Sequence, residues 1–168
     1  MDLPVGSPVI APDPARNEWG IVAVNFPIWL RLSDEASDRA SMTVVRDGIT
    51  LTLSAKRDFV VFHFDADGYD RYGHGDLHFE SDRCTTMAVR ALRETPATNP
   101  SPDCGFVFKH PGEYEVSAVT SWTVSWSGAG FSGTSKTTRT VVLPDRVSVD
   151  ELHAVIVANP TDLPEEPA

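Results

Sequence analysis

Three carboxylates gather around one glycine in the run Asp65-Ala-Asp67-Gly68-Tyr69-Asp70, and carboxylates on a glycine turn are the hard oxygen ligands that calcium takes. Asp65, Asp67 and Asp70 are therefore the candidate calcium ligands; no cofactor is expected, with calcium as the alternative. The further spaced oxygens and the distal bidentate glutamate of an EF-hand are missing at the required spacing. A plain aspartate-glycine turn, its carboxylate accepting backbone N–H bonds, accounts for the same residues. Histidines stand close by. His63, Asp65 and Asp67 share a face if the strand entering the loop persists, and His74-Gly-Asp-Leu-His78 sets Asp76 between two imidazoles. Together they could assemble a transition-metal site, which needs imidazoles converging to about 2 Å from the ion. Nothing in the spacing enforces that convergence, and scattered loop and surface histidines give the same pattern.

Other chemistries find less. Gly128-Ala-Gly-Phe-Ser-Gly133 matches the bare Gly-x-Gly-x-x-Gly pattern, but Thr134 stands where a phosphate-binding loop has lysine, and a Thr-rich β-type segment follows instead of a helix. No nucleotide is expected. There is no Gly-x-Ser-x-Gly elbow, and the serines fall at alternating outward strand positions. The sequence thus presents no coherent catalytic set, and the protein is expected not to be an enzyme. Trp19, Trp29, Trp122 and Trp126 could stack on sugars, although Trp122 and Trp126 alternate with core positions and are expected to be buried. Tyr69, Tyr72, His74, His78 and Phe131 are the candidate contact residues.

The elements that must position these groups are strands. Tyr114, Val116, Ala118, Trp122, Val124 and Trp126 alternate with Glu115, Ser117, Ser121, Thr123 and Ser125, the period of a half-buried strand started by Pro111-Gly112. Asp47-Gly48 separates Met42-Thr-Val-Val-Arg46 from Ile49-Thr-Leu-Thr-Leu-Ser-Ala55, a tight-hairpin signal. Ile49, Leu51, Leu53 and Ala55 are expected to point inward. Strands are also expected over 18–24 and 27–32, with Pro27 at a strand start or edge. Phe59-Val-Val-Phe-His-Phe64 is nearly continuous in apolar character, which suggests burial on both faces. Residues 81–94 could form a short helix, 127–133 a broad hairpin loop before a Thr-rich strand, and residues 146–157 a strand with a bulge near Asp150-Glu151.

With 168 residues the chain fits a single ordinary domain. A net charge of −10 with scattered Lys and Arg argues against a nucleic-acid surface. No run of about 18 apolar residues would span a membrane. Cys84 and Cys104 flank a polar, Pro-rich segment, and could form one disulfide or remain two thiols.

Phe108, Pro111-Gly112 and Tyr114-Glu-Val116 resemble the final hairpin of a PKD-type (polycystic-kidney-disease-repeat) β-sandwich. Phe62-His-Phe-Asp-Ala-Asp-Gly68 stands where that family has Trp-Asp-Phe-Gly-Asp-Gly and agrees at Asp67-Gly68. From about residue 25 to 157 the chain is also similar to a group of uncharacterised actinobacterial exported proteins. The shared runs are Val24-Asn-Phe-Pro-Ile-Trp-Leu30, Ser101-Pro-Asp-Cys-Gly105, Ser121-Trp-Thr-Val-Ser-Trp-Ser-Gly128 and Val147-Ser-Val-Asp-Glu-Leu152. That group implies a fold, an exported location and a Cys84–Cys104 disulfide, and no activity. Met1-Asp-Leu-Pro carries neither a basic start nor an apolar segment, so an exported location expects a signal or anchor outside this sequence.

The expected fold is all-β: a PKD/immunoglobulin-like Greek-key β-sandwich with an irregular, disulfide-closed insertion. It is packed through Ile49, Leu51, Leu53, Val116, Trp122 and Trp126. An N-terminal extended segment (1–17) precedes the domain (18–158), and a Pro-rich acidic tail (159–168) follows it. The expected role is a non-catalytic extracellular or cell-surface module that contacts another cell-envelope protein. A carbohydrate-binding module is the alternative, and a metal-dependent hydrolase a weaker one. The expected contact surface joins the loop over 65–79 to residues 128–133.

Overall fold

The computed structural model describes residues 1–66, 75–85 and 104–152. Ten strands lie among the described residues: β1 (Pro8–Ala11), β2 (Val22–Ala23), β3 (Pro27–Leu32), β4 (Arg39–Arg46), β5 (Ile49–Ala66), β6 (Leu77–Glu80), β7 (Gly105–Val107), β8 (Gly112–Gly128), β9 (Phe131–Val142) and β10 (Val147–Asp150). One 3-10 turn lies at Pro14–Arg16, and there is no α-helix among the described residues. The protein is all-β. Of the helix expected over 81–94, residues 81–85 are not helical, with Cys84 bridged to Val60, and the remainder lies outside the described residues.

Two sheets form. The smaller has the order β1-β3-β7. Its first strand falls within the N-terminal stretch, where Ile10 is buried. The larger sheet has seven strands and curls like half of a barrel. Its spine is the long antiparallel pair β5 and β8, running from Asp65 opposite Glu115 to Thr52 opposite Ser127. Beside this spine, β6 and β10 flank one end, β4 flanks the other, and β9 runs along β8 from Gly128 back to Ser117.

Both tip hairpins close with two-residue turns whose residues are left-handed. Asp47 and Gly48 have φ of 51° and 77°, and Ala129 and Gly130 have 49° and 81°. That geometry matches the right-handed twist of the strands it joins. The expected broad loop over 127–133 is therefore a two-residue turn, because Gly128 and Gly133 belong to strands. Gly133 leaves room for an aromatic ring: a Cβ there would lie 2.4 Å from Cζ2 of Trp126, whose indole covers the glycine.

The smaller sheet covers only one half of the larger. Ile28, Leu30 and Leu32 of β3 pack in one cluster with Val60, Phe62 and Phe64 of β5 and with Tyr114, Val116 and Ala118 of β8. Phe64 stacks on Phe106 at 4.5 Å between centroids and meets Phe108 edge-on at 5.0 Å. Along Phe59–Phe64 the burial alternates, so the run is buried on one face and not on both as its composition suggested. Its outward residues lie against the sheet surface, where aromatic and β-branched side chains remain half-buried.

Past the covered half the expected core gives way to an overhang. Trp122 is fully buried, but Leu51, Leu53 and Trp126 are only partly so and Ile49 is 54% exposed. Alternation selects a face correctly here, but nothing among the described residues is layered over it. The face itself is continuous. Even-numbered residues of β8 point to it throughout, whereas β5 changes from Val60, Phe62 and Phe64 to Ala55, Leu53 and Leu51. The phase change is absorbed at a bulge, where Arg57 opposes Trp122, Phe59 opposes Ser121 and Asp58 is the extra residue. Asp58 accepts a 2.8 Å hydrogen bond from the Thr123 hydroxyl. β10 ends at Asp150, where a bulge was expected, and residues 153–157 of the expected strand lie outside the described residues.

Cys84 and Cys104 form the disulfide, with 5.3 Å between their Cα atoms. Cys84 pairs with Val60 of the larger sheet, and the Cys104 carbonyl accepts from Leu30 N–H of the smaller. The bond thus joins the two sheets. Closing a loop of this length contributes about 3 kcal/mol in the loop-entropy account.

Candidate functional site

Pairing of β5 with β6 sets His63 opposite Glu80 and Asp65 opposite His78. Phe64 is fully buried, and Leu77 and Phe79 pack against the core, so the intervening His63, Asp65, His78 and Glu80 lie together on the outer face. Their polar ends converge. An Asp65 carboxylate oxygen is bound to Nδ1 of His78; Nε2 of the same ring lies 3.3 Å from Oε1 of Glu80; and Nδ1 of His63 lies 3.4 Å from that same oxygen. The imidazole centroids are 5.6 Å apart.

The hydrogen bond that His78 donates to Asp65, followed by that to Glu80, raises the pKa of His78 above its ordinary value, with slight burial opposing the rise. Protonated His78 therefore contributes stability that is fully present below the ordinary histidine value of about 6.5 and is lost as the pH rises through the raised folded value. We expect an NMR titration to find His78 above the ordinary value and Asp65→Asn to move it down. An unshifted His78, or one unmoved by Asp65→Asn, would contradict this coupling.

Of the residues singled out from sequence, Asp65 and His78 are brought into direct contact. Asp67, Tyr69, Asp70, Tyr72 and His74 lie outside the described residues. Asp76 is exposed just ahead of β6. Glu80 was not anticipated, because only the β5–β6 register reveals it. The available signal was a pair of two-residue spacings, His63-x-Asp65 and His78-x-Glu80, one on each strand.

Phe131, the remaining contact candidate, lies at the other end of the molecule and is 75% exposed. It shares the overhang with Val44, Ile49, Leu51, Leu53 and Trp126, which all belong to its apolar face. On the opposite face the register places Arg39, Lys56, Thr123 and Lys136 in one row across four strands. There a cavity of about 580 Å³ is lined by Arg39, Ser41, Ser54, Lys56, Thr123 and Ser125, among others. Asp65, Ala66 and residues 75–79 thus sit at the opposite end of the spine from the turn at 129–130. The rest of the expected contact loop, residues 67–74, lies outside the described residues.

Fold and site define a class: an all-β, disulfide-linked protein with a histidine-carboxylate cluster on one outer face and an uncovered sheet at one end. Compared with known protein families, with curated proteins and with solved structures, the chain finds no match.

Proposed function

We propose that the protein is a non-catalytic extracellular or cell-envelope interaction module that holds an acidic protein partner on its overhanging sheet. The observation carrying this reading is the overhang, where a face that is core in one half of the larger sheet lies open in the other. Charge selects the partner. In residues 39–58 and 120–142, Arg46, Arg57 and Arg139 share the register of the apolar face and Arg39, Lys56 and Lys136 lie on the opposite one, against only Asp47 and Asp58, in a chain of net charge −10. A basic end on an acidic body suits a surface with carboxylates around an apolar centre. The outer edge of β9 offers its main chain to an added strand.

A PKD-like or immunoglobulin-like Greek-key sandwich is the fold we assign to the covered half. In support, the Tyr114 hydroxyl donates to the His110 carbonyl at 3.0 Å, the tyrosine corner of such sandwiches. A disulfide suits an oxidising compartment.

The test is affinity capture from a cell-envelope extract with three proteins: the parent, a tip variant (Ile49→Ala with Phe131→Ala) and a control altered at the far end (His78→Ala). Parent and control should retain one acidic protein, and the tip variant should lose it. Capture should also fall at about 1 M salt, where screening acts within about 3 Å. Equal retention by the tip variant overturns the proposed surface. Retention of glycan alone would favour the carbohydrate alternative, for which the cavity beside Arg39 and Lys56 would be the site.

A further inference from the structure

We propose that His63, His78 and Glu80 form a zinc site, with Asp65 as the residue that positions His78. The ligand atoms of the three all lie within 4.8 Å of one another. Two of their separations are closer to diagnostic. His78 Nε2 to Glu80 Oε1 is 3.3 Å, and His63 Nδ1 to the same oxygen is 3.4 Å. Zinc bonds of about 2.0–2.1 Å in a tetrahedral arrangement put neighbouring ligand atoms about 3.3–3.4 Å apart. The spacing already suits an ion placed among them.

Asp65 supplies what such a site needs behind its ligands. By holding Nδ1 of His78 it assigns the proton to that nitrogen and leaves the Nε2 lone pair facing Glu80 and His63. The donor set of two imidazoles and one carboxylate favours zinc over calcium, which takes oxygens alone. Three protein ligands leave the fourth position open on the outer face, where water or a group from a bound partner can enter. His63 belongs to β5, and His78 and Glu80 to β6, so the ion would fasten a four-residue strand to the spine. This inference does not depend on the overhang, which is at the other end of the sheet.

The experiment is calorimetric titration of tag-free protein with zinc chloride at about pH 8, above the ordinary imidazole value, alongside thermal unfolding and the visible spectrum with cobalt in place of zinc. One equivalent should bind, the melting temperature should rise by several degrees, and cobalt should give a four-coordinate spectrum. His78→Ala and Glu80→Gln should abolish all three while leaving the circular dichroism spectrum of the metal-free protein unchanged. Asp65→Asn should weaken binding about 10- to 100-fold. Calcium should produce no stabilisation through these residues. Absence of saturable binding overturns the site, as does binding that survives His78→Ala and Glu80→Gln. Full affinity in Asp65→Asn overturns the positioning role.

Discussion

Removing Val119 from the middle of β8 is expected to leave the chain unfolded, whereas removing Asp58 from β5 is expected to leave it folded. Both are single-residue deletions in the same pair of strands, and the difference lies in the bulge. β8 keeps one phase over its whole length, with Tyr114, Val116, Ala118 and Trp122 all buried. Loss of Val119 moves every residue on one side of the gap to the other face. Either Trp122 and its followers leave the inner face, or Tyr114 and Val116 do. Asp58 is different, because the pairs on either side of it, Arg57 with Trp122 and Phe59 with Ser121, already stand in register. Its removal makes the pairing regular and forfeits the bond from Thr123, a cost of about 1 kcal/mol. Urea unfolding of the two proteins measures the contrast. A folded Val119 deletion, or an unfolded Asp58 deletion, would show that the phase assignment along the spine is wrong.

Phe64→Ala is expected to cost about 3–5 kcal/mol, and Ile49→Ala less than about 1 kcal/mol, although both are large apolar residues of one strand pointing to the same face. Phe64 is fully buried among Phe106, Phe108 and the strands of both sheets, and truncation leaves a cavity that close packing cannot fill. Ile49 is 54% exposed at the tip. Melting temperatures or denaturant midpoints of the two variants compare them directly. Equal destabilisation would mean that the tip is covered in solution, by a second copy or by another part of the chain.

The same pair of residues explains how far the sequence could be read. Alternation in Ile49-Thr-Leu-Thr-Leu-Ser-Ala55 and in the strand from Tyr114 marks a face, and the hairpin at Asp47-Gly48 follows from its turn residues. Coverage of that face does not follow, since it depends on how far β1, β3 and β7 extend over the larger sheet. Three glycines between residues 128 and 133 suggested an open loop, but Gly133 makes room for the Trp126 ring, a contact between neighbouring strands that composition does not show. The disulfide was among two alternatives allowed by the cysteine count, and the paired sheets decide for it. At the outer-face cluster, His63, Asp65 and His78 were visible as polar residues near one another in sequence. Glu80 became a partner only when the register set it opposite His63.

The Gly112-to-Gly128 course of β8 has a further consequence for handling the protein. At about 3.3 Å per residue the strand spans about 50 Å, and β10 joins it at the Gly112 end. A fluorophore, bead or carrier attached after residue 152 therefore begins far from Ala129 and Gly130, and leaves the tip free to approach a flat surface. An insertion at that turn would occupy the leading edge. Orientation on a sensor chip, and not only affinity, will then decide whether a partner of the overhang is detected.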